Sequence, residues 1–185
     1  MKPSLSTSPV TYPVHVARLP KTGLHVKIDA NEEERAALAT VHELVTVHSF
    51  KADLDVTTWK KGGVRVEGTV SARIVQSCVT TLDPVEETVE EHVSAMFVPE
   101  GSKLAVPKKS VEGEILLDAE GEDGPETFSG DTVDVGQLVE EFFALGINPY
   151  PRRADVSADA PVNAGEDDEP RGPLYEKLQA LKKKL

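Results

Sequence analysis

The chain contains one cysteine, Cys78, and five histidines, which are the side chains most able to bind a transition metal or carry a proton. A zinc site needs about four Cys or His ligands, or three and a water molecule. No two histidines have the short spacing of a metal-binding pair; they are His15, His25, His42, His48 and His92. The sequence therefore predicts no metal and no other cofactor, with Cys78 as a small thiol at a strand end.

Sequence patterns typical of enzymes are also missing. The chain has no Gly-x-Ser-x-Gly turn, no phosphate-binding P-loop and no Gly-rich dinucleotide loop. Paired carboxylates hydrolyse glycosides, and the densest acidic run is Glu86, Glu87, Glu90 and Glu91. Such runs are more often solvated surfaces, and spacing alone does not support catalysis. We therefore predict a protein without catalytic residues.

A cluster of basic residues indicates contact with nucleic acid. Lys60, Lys61, Arg65 and Arg73 fall in or beside a predicted two-stranded ribbon, next to Trp59. Alternation along a strand directs both arginines to the same face, where they can contact phosphates while the indole stacks on a base. Exposed lysines and arginines are also ordinary on a strand, so this pattern alone does not establish RNA binding.

The net charge of −12 is unevenly distributed. Acidic residues dominate residues 82–170, whereas residues 1–81 and 171–185 carry a small basic excess that includes Lys182, Lys183 and Lys184. An acidic block repels nucleic acid and attracts basic proteins, while its basic flanks remain able to contact phosphates. Two kinds of partner therefore stay open: RNA at the basic positions, or a basic protein at the acidic block.

The first half of the chain is predicted to be mostly strands. Residues 11–19 and 24–28 alternate with period 2 around a turn, which predicts a hairpin. A short helix then begins at Asp29 or Asn31, with acidic residues in its first turn. Alternation returns over residues 44–56 and 64–78 on either side of a turn at residues 59–63, which predicts a long antiparallel ribbon.

The second half is predicted to contain two strands and the main helix. Residues 85–98 fit either a helix or a strand, and their valines and threonine favour a strand. A loop over 99–107, a strand over 111–117 and an acidic loop over 118–131 follow. Residues 134–145 predict a helix capped by Asp134, with Phe143 beside its apolar stripe. The stripe comprises Val135, Leu138, Val139, Phe142 and Leu145.

These patterns predict an α+β fold in which one main helix packs on a twisted antiparallel sheet or partly closed barrel. We expect three regions: a domain over residues 1–151, a disordered acidic linker over 152–170 and a short basic amphipathic helix over 171–185. No apolar run is long enough to cross a membrane, and no signal peptide is recognisable, so a cytoplasmic location follows. The oligomeric state stays open.

Two segments resemble the signatures of one protein family. Cys78, Leu82 and Pro84 match the pattern Cys-x-Arg-Cys-Leu-x-Pro, although Thr80 and Thr81 replace its arginine and second cysteine. Asp134, Glu141 and Leu145 fit the pattern Asp-Leu-x-x-x-Val-x-Glu-x-x-x-Leu. Over residues 10–151 the chain thus resembles the YceD family, the large ribosomal RNA subunit accumulation proteins.

This resemblance implies a non-catalytic factor in ribosome biogenesis that supports processing or accumulation of large-subunit ribosomal RNA. The implied partners are that RNA or pre-ribosomal particles. The alternative is an acidic module that chaperones a basic ribosomal protein. Because Thr81 occupies the position of the second family cysteine, the departure from the signature also argues against a metal site.

Overall fold

The computed structural model describes residues 8–105 and 124–155. The chain divides into a first unit, Met1–Arg153, and a second, Ala154–Leu185, and every element described below belongs to the first. In chain order the elements are β1 (Pro13–His15), β2 (Leu24–Asp29), α1 (Glu32–Val41), β3 (Thr46–Trp59), β4 (Gly63–Ser77), β5 (Pro84–Pro99), β6 (Glu126–Phe128), β7 (Thr132–Asp134) and α2 (Val135–Gly146). Neither helix in the described segments is long and apolar enough to cross a membrane.

Five strands form a twisted sheet in the order β2-β3-β4-β5-β6. β2 to β5 are antiparallel neighbours, whereas β6 pairs with β5 in parallel. The fold is therefore α+β as predicted, but the sheet is mixed rather than purely antiparallel. Within the described residues the sheet does not close into a barrel, because β2 and β6 lie at its two edges.

The long strands β3, β4 and β5 are amphipathic in the way their alternation predicts. Phe50, Leu54 and Val56 of β3 and Val66 and Val70 of β4 are fully buried on one face of the sheet. The residues between them are mostly exposed on the other face. Residues 85–98 form part of β5, which confirms the strand predicted there; a buried valine alternates with polar neighbours along it.

Two helices, rather than one, cover the buried face. α1 packs on β3, and α2 packs on β4 and β5. α1 begins at Asn31 in a reciprocal capping box with Glu34, where each side chain accepts a hydrogen bond from the backbone N–H of the other residue. Asn31, one of the two caps that the sequence offered, is thus the cap in use.

The stripe of α2 differs from the predicted one in its C-terminal half. Val135, Leu138 and Val139 are buried as expected, but Phe143 rather than Phe142 completes the buried face. Phe142 is half-buried at the edge of the core, and Leu145 is 80% exposed. The spacing i, i+4 and i+8 from Val135 continues the helical stripe through Val139 to Phe143, which rotates Phe142 and Leu145 off it.

The predicted hairpin over residues 11–28 is wrong. β1 pairs antiparallel with β7, and β2 pairs with β3. A short 3-10 turn over Val16–Arg18 ends β1 before it can run back along β2. The buried Val14 faces Val133 across the β1–β7 pair, so the strand finds its apolar partner far along the chain.

The acidic loop predicted over residues 118–131 contains β6, and β7 follows it directly. Both strands have only three residues, too short for period-2 alternation to reveal. The predicted strand over 111–117 and the predicted helix over 171–185 lie outside the described residues. So does most of the predicted linker, of which residues 152–155 alone are described.

Candidate functional site

The first candidate surface is the exposed face of the sheet, here called the open face, at whose centre lies the ribbon formed by β3 and β4. Lys60, Lys61 and Gly62 form the tight turn between the two strands, and both lysines are exposed. The Lys60 ammonium lies 5.5 Å from the centroid of the Trp59 ring, a cation–π distance. The predicted cluster of two lysines and an indole is thus assembled at one end of the ribbon.

The two predicted arginines share the open face but do not form one site. Arg65 pairs across the ladder with Thr57 near the turn, whereas Arg73 pairs with Ser49 and Thr88 at the other end. Eight residues of strand separate them, which is roughly 26 Å at 3.3 Å per residue. The ribbon therefore presents two separate basic positions.

The electrostatic surroundings of these arginines differ. The Arg65 Nε lies 3.2 Å from the Glu67 carboxylate, and its side chain is about one-third exposed. Arg73 is exposed, and its two cross-strand neighbours, Ser49 and Thr88, are uncharged. A phosphate group can approach Arg73 without displacing a cross-strand carboxylate, whereas at Arg65 it has to compete with Glu67.

Much of the remaining charge on the open face is paired. Lys27 lies 3.4 Å from Asp53, and Lys51 lies 3.1 Å from Asp29. His25 contacts both Asp53 and Asp55, at 3.2 and 3.0 Å. This face is consequently a mosaic of both signs rather than a uniformly positive surface.

Strand alternation divides the acidic run of β5 between two faces. Glu86 and Glu90 are exposed on the open face, whereas Glu87 and Glu91 lie on the side that α2 covers. Glu87 Oε1 accepts a hydrogen bond from Asn148 Nδ2 at 3.0 Å, and Glu91 packs against Gly146 at the end of α2. Two of the four glutamates therefore help to hold α2 on the sheet.

The second candidate surface is the loop between β4 and β5, residues 78–84, here called the motif loop. Cys78 is fully buried, and its Sγ lies 3.2 Å from Thr80 Oγ1. Hydrogen bonds from the Thr80 and Thr81 side chains and from the backbone of Arg153 and Thr80 lower the pKa of the Cys78 thiol to about 6. Such bonds favour the thiolate because its negative charge accepts them strongly.

The motif loop is closed by its own backbone and by the segment that follows α2. The backbone N–H of Cys78 donates to Asp83 O at 2.8 Å, and that of Leu82 donates to Cys78 O at 2.9 Å. Val79 N–H donates to Pro151 O at 2.9 Å, and the Arg153 guanidinium donates to the Asp83 carboxylate at 2.6 Å. Nothing in the local sequence marks the last two links, because they join residues about 70 positions apart.

The remaining signature residues of the predicted site are spread over the fold. Pro84 begins β5 and is exposed. Asp134 caps α2, since its Oδ1 accepts hydrogen bonds from Gly136 N at 2.9 Å and Gln137 N at 3.2 Å. Glu141 accepts a hydrogen bond from Gln137 Nε2 at 3.0 Å, and the Leu145 side chain is exposed. Lys182, Lys183 and Lys184 lie outside the described residues.

A buried pair between the two helices had no local sequence signal. His42 Nε2, just after α1, lies 3.0 Å from Glu140 Oε1 of α2, and both side chains are largely buried. The His42 ring also contacts Phe143 edge-on, with centroids 5.3 Å apart. These residues are 98 positions apart, so only the fold brings them together.

Two small cavities flank the outer side of α2. One of about 210 Å³ is lined by residues that include His42, Glu140 and Glu141, and one of about 190 Å³ by residues that include Glu126, Asp134 and Glu141. Partial burial, and then the nearby Glu141 carboxylate, raise the pKa of Glu126. Among residues 8–105 and 124–155, no group of three or more His, Cys, Asp or Glu side chains is placed to hold a metal ion.

Comparison with known proteins gives one match. A family model described as large ribosomal RNA subunit accumulation protein YceD matches residues 66–182, well over half of the chain. This range contains β4 from Val66 onward, the motif loop, β5 and α2. No curated protein and no solved structure matches the chain.

Proposed function

Because the chain belongs to the YceD family, we propose that it supports processing or accumulation of large-subunit ribosomal RNA by binding that RNA or a pre-ribosomal particle. The observation that carries this proposal is the match over residues 66–182 to a family whose name refers to accumulation of the large ribosomal RNA subunit. We further propose that the chain acts in the cytoplasm and catalyses no reaction.

The basic positions on the open face are the proposed RNA contacts. Lys60 and Lys61 stand on a tight turn beside Trp59, an arrangement that suits a phosphate next to a stacked base. Arg73 is a second, more accessible contact, while Arg65 has to exchange Glu67 for a phosphate. With about 26 Å between the two arginines, an RNA segment lying along the ribbon would contact both ends. We include Lys182, Lys183 and Lys184 in this proposal on charge alone.

Binding of purified protein to protein-free large-subunit RNA at several salt concentrations tests this proposal. Lys60→Glu/Lys61→Glu and Arg73→Glu should each weaken binding and flatten its salt dependence, because each removes phosphate contacts. Arg18→Glu is the matched control, since it reverses an exposed cation in the 3-10 turn that follows β1, a strand that pairs with β7 and not with the ribbon. Equal binding by all of these variants would contradict RNA contact through the open face.

The second candidate function is an acidic module that holds a basic ribosomal protein. The observation that favours it is the crowding of carboxylates beside α2, where Glu141 contributes to the raised pKa of Glu126. A cationic side chain entering the adjacent cavity would relieve that repulsion. Glu126→Gln/Glu141→Gln should release a basic protein under this alternative and leave RNA binding unchanged. Neutralising all four glutamates of β5 is a poorer test, since Glu87 and Glu91 contact the end of α2.

A further inference from the structure

Leu82, at the tip of the motif loop, is held in an unusual way. Its side chain is 77% exposed, and its backbone has a φ of 61°, in the left-handed region that residues with a branched side chain avoid. Neither feature helps the fold, because an exposed leucine buries no apolar surface and the left-handed backbone is unfavourable for an L-residue. The loop therefore exposes a leucine to solvent at a cost in folding free energy.

The hydrogen bonds of the loop fix this presentation. Cys78 and Leu82 are joined by the bond from Leu82 N–H to Cys78 O, and the bond from Cys78 N–H to Asp83 O closes the loop behind the leucine. The Arg153 side chain binds Asp83 next to it. Leu82 is thus carried on a closed and tethered loop, an arrangement suited to a binding contact that does not have to order the loop first.

Other exposed apolar side chains lie on the same tethered segments. Val79 is 45% exposed and Tyr150 is 71% exposed, although most side chains of their types are largely buried in folded proteins. The bond from Val79 N–H to Pro151 O joins Val79 to the residue that follows Tyr150. Arg152, the next residue after Pro151, is also exposed. An apolar group beside a cation is typical of a protein-binding surface.

We propose that Leu82, Val79 and Tyr150 form a docking surface for a protein that has an apolar pocket for the leucine and a carboxylate at its rim for Arg152. Leu82 and Val79 favour a protein partner over RNA, since a leucine and a valine make no stacking or phosphate contact. The carboxylate follows from the charge of Arg152. The surface lies apart from the basic turn of the open face, so this proposal does not rest on the proposed function.

Site-specific photo-crosslinking in the cells that make the protein tests this surface. A benzophenone side chain placed at Val79 of the full chain should give a discrete protein adduct, and Leu82→Asn in the same chain should reduce that adduct at least tenfold. Asparagine tolerates the left-handed backbone, so the loop is retained while the apolar side chain is lost. Val41→Asn is the control, because it replaces another exposed apolar side chain, 53% exposed, with asparagine.

Each outcome decides the proposal. An adduct lost with Leu82→Asn and kept with Val41→Asn supports it, whereas no adduct, an RNA adduct, or an adduct insensitive to Leu82→Asn overturns it. The proposed function is judged separately by whether the protein sediments with large-subunit precursors. A Leu82-dependent adduct without sedimentation would contradict the proposed function alone, and sedimentation without such an adduct would overturn the docking surface alone.

Discussion

Phe143 of α2 lies edge-on to Phe50 of β3, with ring centroids 5.3 Å apart and planes at 84°. Both rings are fully buried, and the His42 ring makes a second edge-on contact with Phe143. One side chain therefore connects α2 with the sheet and with the end of α1. This contact is where the two helices and the sheet share a single core.

Phe143→Ala is expected to destabilise the fold by about 3 to 5 kcal/mol, the usual cost of removing a buried aromatic side chain. Phe142→Ala should cost clearly less, since Phe142 is only half-buried. Urea unfolding of both variants measures the difference. Equal losses, or a larger loss for Phe142→Ala, would mean that α2 is rotated from the orientation described.

Gly68→Ala should destabilise the fold although Gly68 has an ordinary strand backbone. A Cβ at this position would lie 2.1 Å from Asp53 O and 2.8 Å from Leu54 Cα, so β3 and β4 have to separate locally. Such overpacking costs about 1 to 3 kcal/mol. Gly124→Ala is the control, because a Cβ there meets no atom within 4 Å, and its thermal midpoint should stay close to that of the parent protein.

His42 and Glu140 should be energetically coupled. Their side chains pair at 3.0 Å in a largely buried position. Removal of one side chain therefore leaves the other buried without its hydrogen-bond partner. A double-mutant cycle with His42→Ala and Glu140→Ala should give a coupling of about 0.5 to 3 kcal/mol. Additive losses in the two single variants would contradict the pair.

The Cys78 thiol should titrate near neutral pH. Its hydrogen bonds lower its pKa to about 6, so thiolate absorbance should appear at that pH in the parent protein and at higher pH in Thr80→Val. Folding favours the thiolate, which means that the unfolded chain binds more protons between about pH 6 and the ordinary cysteine pKa of about 8.5. The contribution of Cys78 to stability should therefore grow as pH rises through this window and be lost as pH falls through about 6. Urea unfolding of the parent protein and Cys78→Ala across this range measures it, and a constant difference would contradict the lowered pKa.

Leu82→Gly should leave the fold as stable as the parent or more stable. Release of the left-handed strain gains about 1 to 2 kcal/mol, while the added flexibility of glycine in the unfolded chain costs about 0.5 to 1 kcal/mol. Leu145→Gly is the control at an equally exposed leucine, but in a helix, where glycine should destabilise by about 1 kcal/mol relative to alanine. A clear loss of stability in Leu82→Gly would show that the Leu82 side chain supports the fold.

Local patterns in the sequence predicted the long elements and missed the contacts between distant segments. The alternation within residues 46–77 and the cap at Asp134 depend only on residues close together in the sequence. Both are present in the structure. The pairing of β1 with β7 joins residues about 120 positions apart, and the link from His42 to Glu140 joins residues 98 positions apart. Nothing in the local spacing marks such partners, because burial of Val14 or Glu140 depends on elements that the pattern does not place.

The candidate site was likewise predicted only in part. Alternation correctly placed Arg65 and Arg73 on one face, but it did not show that Arg65 forms an ion pair with Glu67. The exposure of Leu82 also has no local signal in the sequence, since leucine is among the residues most often buried in folded proteins. Its left-handed backbone is set by the closure of the loop rather than by any preference of leucine.

The Asp134 carboxylate, described above as the cap of α2, also accepts a hydrogen bond from the backbone N–H of Tyr12 at 2.8 Å. The capping hydrogen bonds of Asp134 reach residues at most three positions away, whereas its bond to Tyr12 spans 122 positions. Closing so long a loop is entropically costly. β3, β4 and β5 are consecutive antiparallel strands joined by short turns, which favours their early assembly. We therefore expect the N-terminal strand to dock late in folding, onto a carboxylate that the helix has already positioned.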